Sequence, residues 1–235
     1  MAATPTGVDL RVASYNVHGL RDDRRALVAV IRDLAPDVLL LQEAPRRFRW
    51  RQRCAALARD VGLVVAVGGL PALGNLILTD LRVQVRQTWC VRFPLTPGRH
   101  LRGAAFALCT VAGVRFAVAG SHLATFAPER PNQARLLADG LAELADPVVL
   151  GADVNDQPGS PTWQALAGGR LDPGAPAAVP TYSCTEPRRR IDAIFVDRRI
   201  EVLGYEVLDT PAARRASDHL PVVADLRLPA GTGGR

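Results

Sequence analysis

The chain contains no lysine, so all 29 of its basic side chains are arginines. They outnumber the 23 acidic residues, which gives the 235-residue chain a formal net charge of +6. This charge favours anionic partners over cationic ones, although it does not by itself single out nucleic acid. Only the positions of the arginines along the chain can narrow the choice.

Long apolar runs are also missing. The longest, 61–78, is broken by glycines, by Pro71 and by Asn75, and it predicts two strands and a turn and no membrane span. The first residues, MAATPTGVDL, lack the basic and apolar segments of a secretory signal, so we expect a cytoplasmic protein without membrane insertion. The four cysteines form no C-x-x-C pair, which indicates reduced thiols.

The overall composition is that of a folded protein. With 48% hydrophobic and 22% charged residues, the chain is neither disordered, nor collagenous, nor a disulfide-rich miniprotein. A chain of this length can bury a core without metal or disulfide crosslinks. No linker or repeat interrupts it. We expect a monomer with one domain over residues 8–228 and disordered tails at 1–7 and 229–235.

Eleven short runs rich in Val, Leu, Ile and Phe predict β-strands between Leu10 and Leu228. The predicted helices are one that buries Leu27, Val30, Ile31 and Leu34, one after Pro131 that buries Ala134, Leu137, Leu141 and Leu144, and a short one capped by Ser160. Many strands with few helices favour an α/β fold in which helices flank two packed mixed β-sheets, a four-layer αββα sandwich. A doubly wound parallel sheet is the alternative, but too few helices separate the strands.

Polar residues recur where the predicted strands end. They are Asn16, His18, Gln42, Glu43, His122, Asp153, Asn155, Asp192, Asp218 and His219. Loops at strand ends are where a rigid scaffold presents reactive groups. If these ends converge, four carboxylates share one site, and a cation must offset their repulsion. Oxygen-rich ligation without cysteine predicts Mg²⁺, with Mn²⁺ as a substitute, and leaves the histidines to contact phosphate or to handle protons.

An ordered set of motifs resembles that of the endonuclease/exonuclease/phosphatase superfamily, which has the deoxyribonuclease-I-like fold. The motifs are SYNVHG, DVLLLQE, GNLIL, RGA, SHL, RPNQARLL, LGADVN, RIDAIFV and SDHLPV, between about Leu10 and Leu226. Any one of them is weak evidence, whereas the set in this order is specific. The resemblance implies a four-layer αββα sandwich with its active site where the strand ends of both sheets meet.

The resemblance also implies a metal site and phosphate contacts. Glu43 looks like the main metal carboxylate, with Asn16 and Asp218 near the ion directly or through water. Arg102 and Arg130 look like single phosphate contacts, because a guanidinium group matches the geometry of phosphate oxygens.

Five further residues match catalytic positions of the superfamily. Asp153 resembles the residue that aligns or deprotonates the attacking water, helped by Asn155. His219 matches the histidine that contacts the scissile phosphate, and Asp192 matches the carboxylate that orients it. His122 looks like a second histidine that binds phosphate or donates a proton. The mechanism implied is in-line attack of a metal-activated water on phosphorus, without a covalent enzyme intermediate.

The sequence narrows the substrate only in part. Abasic-site endonucleases usually have tyrosine where this chain has His122 and continue differently after Asn155, whereas NDQPGSPTWQAL resembles small bacterial phosphodiesterases and phosphatases. We therefore expect a phosphoester substrate, a phosphodiester or a phosphomonoester, cleaved by a Mg²⁺-dependent enzyme. A nuclease acting on DNA or RNA is the alternative, and a catalytically inactive phosphate-binding module of the same fold is the alternative from another class.

Three arginine clusters adjoin the proposed catalytic loops. They are Arg46, Arg47, Arg49, Arg51 and Arg53, then Arg188, Arg189 and Arg190, then Arg214 and Arg215. They indicate either an electropositive rim that selects a polyanion or a solvated face. Phe48 and Trp50 could stack on bases, but an inward orientation is favoured. His18 and His100 are interpreted as loop residues without a catalytic role.

Overall fold

The computed structural model describes residues 7–230 and contains two six-stranded mixed sheets. In chain order the elements are β1 (Gly7–Asn16), α1 (Arg24–Leu34), β2 (Val38–Gln42), α2 (Trp50–Val61), β3 (Val64–Gly68), β4 (Leu76–Thr79), β5 (Val83–Arg92), β6 (Gly103–Val111), β7 (Val114–His122), α3 (Arg130–Ala142), β8 (Val148–Asp153), α4 (Pro161–Ala167), β9 (Arg170–Leu171), β10 (Asp192–Asp197), β11 (Glu201–Val207), α5 (Pro211–Ala216) and β12 (Val222–Pro229). The first sheet has the order β11-β12-β1-β2-β4-β3, and the second has the order β5-β6-β7-β8-β10-β9.

Three hydrophobic clusters fill the interfaces between the layers. One, which includes Leu40, Ile77 and Phe116, fills the space between the two sheets. A second joins the first sheet to α1, α2 and α5, and a third joins the second sheet to α3 and α4. These three interfaces confirm the four-layer αββα sandwich.

The first strand shows how the sequence produces these layers. Leu10 and Val12 pack between the sheets, whereas Ala13 and Tyr15 pack beneath the helices. Successive side chains of a strand point to opposite faces, so a strand covered on both faces is apolar throughout. β1 is therefore a central strand of the sandwich.

The two sheets approach each other closely at Gly151 in β8. A Cβ atom at this position would lie 2.6 Å from Leu40 Cδ1 and 2.8 Å from Ser14 Oγ of the first sheet. A larger residue would have to displace these neighbours. Because Gly151 lies two residues before Asp153, the close packing supports the strand end that carries the site.

Three elements were not predicted from the sequence. α2 buries Cys54, Leu57, Ala58 and Val61, but the many arginines of WRQRCAALARDV obscure this apolar face in the sequence. α5 is six residues long and β9 is two, so neither produces a periodic pattern that is long enough to recognise.

The sheets extend one residue beyond each predicted domain limit. Gly7 begins β1 and pairs with Pro229 at the end of β12, so both residues belong to the sheet and not to tails. The other predicted tail residues, apart from Ala230, lie outside the described residues. Within residues 7–230, no helix combines the length and the apolar character needed to cross a membrane.

Candidate active site

Strand pairing brings the proposed site residues to one end of the two sheets. β7 and β8 are parallel, and His122 pairs with Asp153 where both strands end. β10 runs antiparallel to β8 and begins at Asp192, which also pairs with Asp153. In the first sheet, Asn16 ends β1 beside the end of β2, from which Glu43 follows.

Asp153 lies at the centre of the site and is buried. Its Oδ2 accepts a hydrogen bond from Asn16 Nδ2 at 2.8 Å and lies 3.2 Å from His122 Nε2 and 3.8 Å from His219 Nε2. Its Oδ1 accepts a hydrogen bond from the backbone amide nitrogen of Asn155 at 3.0 Å. A single carboxylate therefore joins residues from both sheets.

His219 is paired with a carboxylate. Its Nδ1 lies 2.9 Å and 3.1 Å from the two carboxylate oxygens of Asp192. Burial alone lowers the pKa of His219, but the charge and hydrogen bond of Asp192, followed by the charge of Asp153, outweigh burial and raise that pKa to about 10. His219 is therefore an imidazolium at neutral pH.

His122 is paired with a cation. Arg102 Nη1 lies 3.0 Å from His122 Nδ1. The Asn155 side-chain nitrogen, which donates to the Leu123 carbonyl at 3.0 Å, lies 2.9 Å from Nε2. Arginine has only donors, so Nδ1 is the acceptor. The ring proton therefore lies on Nε2, which is 3.2 Å from Asp153 Oδ2. Burial lowers the pKa of His122 to about 3, with the Asp153 charge opposing the shift and the Arg102 charge adding to it. His122 is therefore neutral at neutral pH.

The residues proposed for the metal fit a hard divalent ion. Glu43, Asn16 and Asp218 line the same pocket, and their donor set is two carboxylates and one amide oxygen. Mg²⁺ and Mn²⁺ prefer such oxygen ligands. Glu43 also has a φ of 53°, a backbone conformation that is unfavourable for a side chain of its size and that tends to occur at functional sites.

A second group of potential metal ligands lies deeper in the site. One ligand atom from each of Asp153, Asp192 and His219 falls within 4.8 Å of the others, and all three residues are buried. This cluster could hold an ion, but His219 Nδ1 is already hydrogen-bonded to Asp192. The all-oxygen set around Glu43 is the better match to Mg²⁺.

A profile of the Endonuclease/Exonuclease/phosphatase family matches residues 13–219, a range that contains the whole site from Asn16 to His219. The chain belongs to this family. Family members hydrolyse phosphoric ester bonds, and the chain is an enzyme of this class. The resemblance indicated by the motifs is thereby confirmed. A comparison with curated protein sequences finds no significant match.

Several solved structures have the same fold over nearly their full length. An endonuclease/exonuclease/phosphatase family protein from Bacteroides thetaiotaomicron is 20% identical with a TM-score of 0.78, covering 95% of this chain and 99% of that one. A mannosyl-6-phosphatase from the same organism is 19% identical with a TM-score of 0.76, covering 92% and 99%. TDP2 from D. rerio, complexed with a single-strand DNA product, is 20% identical with a TM-score of 0.75, covering 93% and 98%. At these identities the likeness establishes the fold alone.

Arginine dominates the pocket of this family member. The arginines that line it are Arg21, Arg46, Arg47, Arg53, Arg102, Arg130 and Arg189. The acidic lining residues are Glu43, Asp153 and Asp218. The wall of the pocket is therefore predominantly positive, as the electropositive-rim interpretation predicts for part of the first arginine cluster and for Arg189.

Other arginines of the predicted clusters lie away from the pocket. Arg190 is buried and pairs with Asp172, with one hydrogen bond of 2.9 Å. Arg214 pairs with Asp209, and Arg215 donates to a backbone carbonyl of its own helix. None of the three lines the pocket. Arg214 and Arg215 are exposed, as the alternative of a solvated face predicts, whereas the buried pair of Arg190 fits neither interpretation.

Three residues outside the predicted set also line the pocket. His18 lies there with its Nδ1 3.8 Å from Asp218 Oδ1, and His100 lies there as well, whereas the sequence alone predicts only loop residues at both positions. The Tyr182 ring packs 4.7 Å from the His219 ring, and the Arg189 guanidinium lies 4.7 Å from the centre of the Tyr182 ring. No sequence motif indicates Tyr182, because its contact with His219 depends on a loop that folds back onto that histidine.

The inward orientation expected for two aromatic residues is confirmed for one of them. Trp50 is half-buried and packs against the hydrophobic core beneath the helices of the first sheet. Phe48 is 84% exposed, so the prediction is wrong there. Phe48 lies before the first residue of α2 and therefore outside its buried face.

Proposed function

We propose that the chain is a Mg²⁺-dependent phosphodiesterase that cleaves its substrate by in-line attack of water on phosphorus. The observation that carries this proposal is the position of Asp153 Oδ2, 2.8 Å from Asn16, 3.2 Å from His122 and 3.8 Å from His219. This carboxylate has hydrogen-bond donors around it and opens onto an arginine-lined pocket. A proton acceptor beside a site for phosphate is the arrangement that phosphoester hydrolysis requires.

Each group at the base of the pocket has one role in this reaction. Asp153 accepts a proton from the attacking water, and its hydrogen bonds from Asn16 and Asn155 hold it in place. His219, kept charged by Asp192, donates a hydrogen bond to a phosphate oxygen. That donor stabilises the negative charge that develops in the transition state.

The phosphate is bound mainly by arginine. Arg102 and Arg130 each line the pocket, and a guanidinium group has five N–H donors, more than their contacts within the protein use. Arg130 is fixed by its contacts with Asp156 at 3.2 Å and with the Thr125 carbonyl at 2.8 Å. Neutral His122 lines the same pocket, and its Nε2 hydrogen is directed at Asp153 Oδ2, 3.2 Å away, which helps to hold that carboxylate.

Glu43, Asn16 and Asp218 would hold the divalent ion. When bound, Mg²⁺ neutralises charge on the phosphate and lowers the pKa of coordinated water. Mn²⁺ has similar ligand preferences, so we expect it to substitute.

Hydrolysis of bis-p-nitrophenyl phosphate tests the proposal. The protein should release p-nitrophenolate with Mg²⁺ or Mn²⁺ and should lose this activity in EDTA. Asp153→Asn should lower kcat roughly 10²- to 10⁴-fold, the usual contribution of a positioned proton acceptor. Asp139→Asn is the matched control, because Asp139 is exposed on α3 away from the pocket. Full activity of Asp153→Asn would overturn the assignment.

Other substrates refine the result. Faster turnover of p-nitrophenyl phosphate than of the diester would identify a phosphomonoesterase, the reaction named for the mannosyl-6-phosphatase of the same fold. Phosphate binding without turnover of either ester, with either ion, would overturn the proposal and identify the inactive phosphate-binding module.

A nuclease acting on DNA or RNA is the second candidate function. The arginine lining of the pocket favours it, as does the fold shared with TDP2 in complex with DNA. Supercoiled plasmid and single-stranded RNA are the test substrates. Their cleavage should fall steeply as salt increases, because binding releases counterions, whereas hydrolysis of a small diester should change little.

The cytoplasmic location and the monomeric state expected from the sequence remain predictions. Cell fractionation and light scattering of the purified protein test them.

A further inference from the structure

The loops that carry the two exposed aromatic rings of this protein border one pocket. The chain has six Phe, three Trp and three Tyr residues, all of which lie within the described range. Among them, Phe48 and Phe126 are exposed, at 84% and 36%, and the rest are buried or half-buried. Phe48 follows Arg47, and Phe126 lies between Thr125 and Ala127. These three neighbours line the pocket, and the two rings lie next to the lining residues in the chain, outside the lining itself.

The loop that carries Phe48 is held in place on both sides. The Ala44 amide nitrogen donates to the Gly74 carbonyl at 2.8 Å, and Arg46 Nη1 donates to the Leu73 carbonyl at 2.9 Å. Trp50 follows and packs into the core. The exposure of Phe48 is therefore a property of an anchored loop.

The loop that carries Phe126 is anchored in the same way. The Ala124 amide nitrogen donates to Gln133 Oε1 at 2.9 Å, and Arg130 Nη1 donates to the Thr125 carbonyl at 2.8 Å. This loop follows β7 of the second sheet, whereas the loop of Phe48 follows β2 of the first. Each sheet thus supplies one exposed ring on a loop that borders the shared pocket.

An arginine guanidinium group lies over each of the two rings. The Arg99 guanidinium carbon lies 3.9 Å from the centre of the Phe126 ring, and that of Arg49 lies 5.5 Å from the centre of the Phe48 ring. With these arginines in place, Phe48 is 84% exposed and Phe126 is 36% exposed, so part of each ring surface is accessible to a second flat group. Aromatic rings interleaved with arginine are the combination that binds single-stranded nucleic acid.

We propose that Phe48 and Phe126 are stacking platforms for bases of a single-stranded nucleic acid whose phosphodiester occupies the pocket. This inference rests on the proposed phosphodiesterase function and names its substrate class. The arginines of the pocket attract the backbone, and the two rings hold bases near the bound phosphodiester. Bases of a duplex stack on one another, so a single strand or an unpaired segment is the ligand that can use both rings.

Fluorescence anisotropy with a labelled oligothymidine tests the proposal. Binding to the full-length protein is measured with Ca²⁺ in place of Mg²⁺, and a gel confirms that the strand stays intact. An abasic strand of equal length keeps the phosphates and lacks the bases. The protein should bind oligothymidine about tenfold more tightly than the abasic strand or better, since each stacked base contributes several-fold to affinity.

Substitution of the rings should remove this preference. Phe48→Ala and Phe126→Ala should each weaken oligothymidine binding about fivefold or more. Their affinity for the abasic strand should change by less than about twofold, because that strand has no base to stack. Phe48→Trp should retain the preference.

Leu81→Ala is the matched control for removal of an exposed apolar side chain. Leu81 is 81% exposed between β4 and β5 and does not line the pocket, so this variant should bind both strands like the unmodified protein. Unchanged melting temperatures would show that loss of binding is not loss of folding.

Three results would overturn the proposal. They are equal affinity of the unmodified protein for both strands, an equal loss for both strands in the Phe→Ala variants, and weaker binding of those variants to anionic phospholipid vesicles but not to oligothymidine. The failure of the proposed function is seen separately, as a lack of metal-dependent hydrolysis of bis-p-nitrophenyl phosphate by the unmodified protein.

Discussion

The two buried histidines of the pocket both lie near Asp153 Oδ2, at 3.2 Å for His122 and 3.8 Å for His219, yet their second partners carry opposite charges. The Asp192 carboxylate faces Nδ1 of His219, and the Arg102 guanidinium faces Nδ1 of His122. The pKa of His219 is accordingly raised to about 10, and burial lowers the pKa of His122 to about 3.

This difference assigns the two rings to different tasks. The charged His219 offsets the buried carboxylates of Asp153 and Asp192, which would otherwise repel each other. A second imidazolium at His122 would instead face the cation of Arg102. The pocket therefore uses one histidine as a cation for transition-state charge and the other as a neutral hydrogen-bond donor.

The largest effect is expected from breaking the His219 pair. Asp192→Asn removes the charge that keeps His219 protonated, and kcat for a phosphodiester should fall roughly 10²- to 10⁴-fold. His219→Ala should cause a similar loss. The double variant should be no worse than the more damaging single variant, because the two residues act as a unit. Fully multiplicative losses in a double-mutant cycle would contradict this pairing.

A smaller effect is expected from breaking the His122 pair. Arg102→Met removes a charged donor from Nδ1 and a phosphate contact, and kcat/KM should fall roughly 10- to 100-fold, in line with the loss of a charged hydrogen bond. Arg102→Lys retains the charge but loses the planar guanidinium group, so its kcat/KM should lie between that of the unmodified protein and that of Arg102→Met. Unmodified kinetics for Arg102→Met would show that the arginine neither orients His122 nor binds phosphate.

The packing that brings the two histidines together can be disturbed without touching either. Gly151→Ala places a Cβ atom against Leu40 and Ser14 and should lower the free energy of unfolding by about 1–3 kcal/mol. Gly140→Ala in α3 meets no atom within 4 Å and should stabilise the protein by about 0.5–1 kcal/mol. Urea unfolding measures both. Equal stabilities for the two variants would contradict the close approach of the sheets at β8.

A change of one pH unit should have the smallest effect. For each histidine, it should change the free energy of unfolding by at most about 1.4 kcal/mol. The folded-state pKa of His219, about 10, is above its unfolded value, so its contribution is present below about pH 6.5 and is lost as pH rises towards 10. The folded-state pKa of His122, about 3, is below its unfolded value, so its contribution is present above about pH 6.5 and is lost as pH falls towards 3.

Thermal unfolding of the metal-free protein across this range tests both contributions. His219→Gln should flatten the alkaline side of the stability profile, and His122→Gln should flatten the acid side. Profiles that change on the opposite sides would reverse the two assignments.

The sequence predicts the strand-end members of the site well. Asn16, His122 and Asp153 each interrupt an apolar run at the point where a strand leaves the core, so their position in the chain specifies their position in the fold. The partners that set their chemistry are harder to predict. The contact of Arg102 with His122 depends on the β6–β7 register, in which Gly103 pairs with His122.

The environments of Arg190 and Phe48 were predicted incorrectly for a related reason. Arg190 sits in a run of arginines like any solvated cluster, but Asp172, 18 residues earlier, draws it into a buried pair. The sequence predicts that Phe48 faces inward, but α2 begins only at Trp50, so Phe48 is not part of the buried helix face. Long-range pairing and the exact start of a helix determine such cases, and neither is encoded in a local pattern.

The most direct test of the opposite protonation of the two histidines is a ¹H–¹⁵N NMR spectrum of the metal-free protein at neutral pH, with His122→Gln and His219→Gln used for assignment. Both ring nitrogens of His219 should carry a proton, and His122 should be the neutral tautomer protonated at Nε2. A neutral His219, or a His122 protonated at Nδ1, would contradict this assignment.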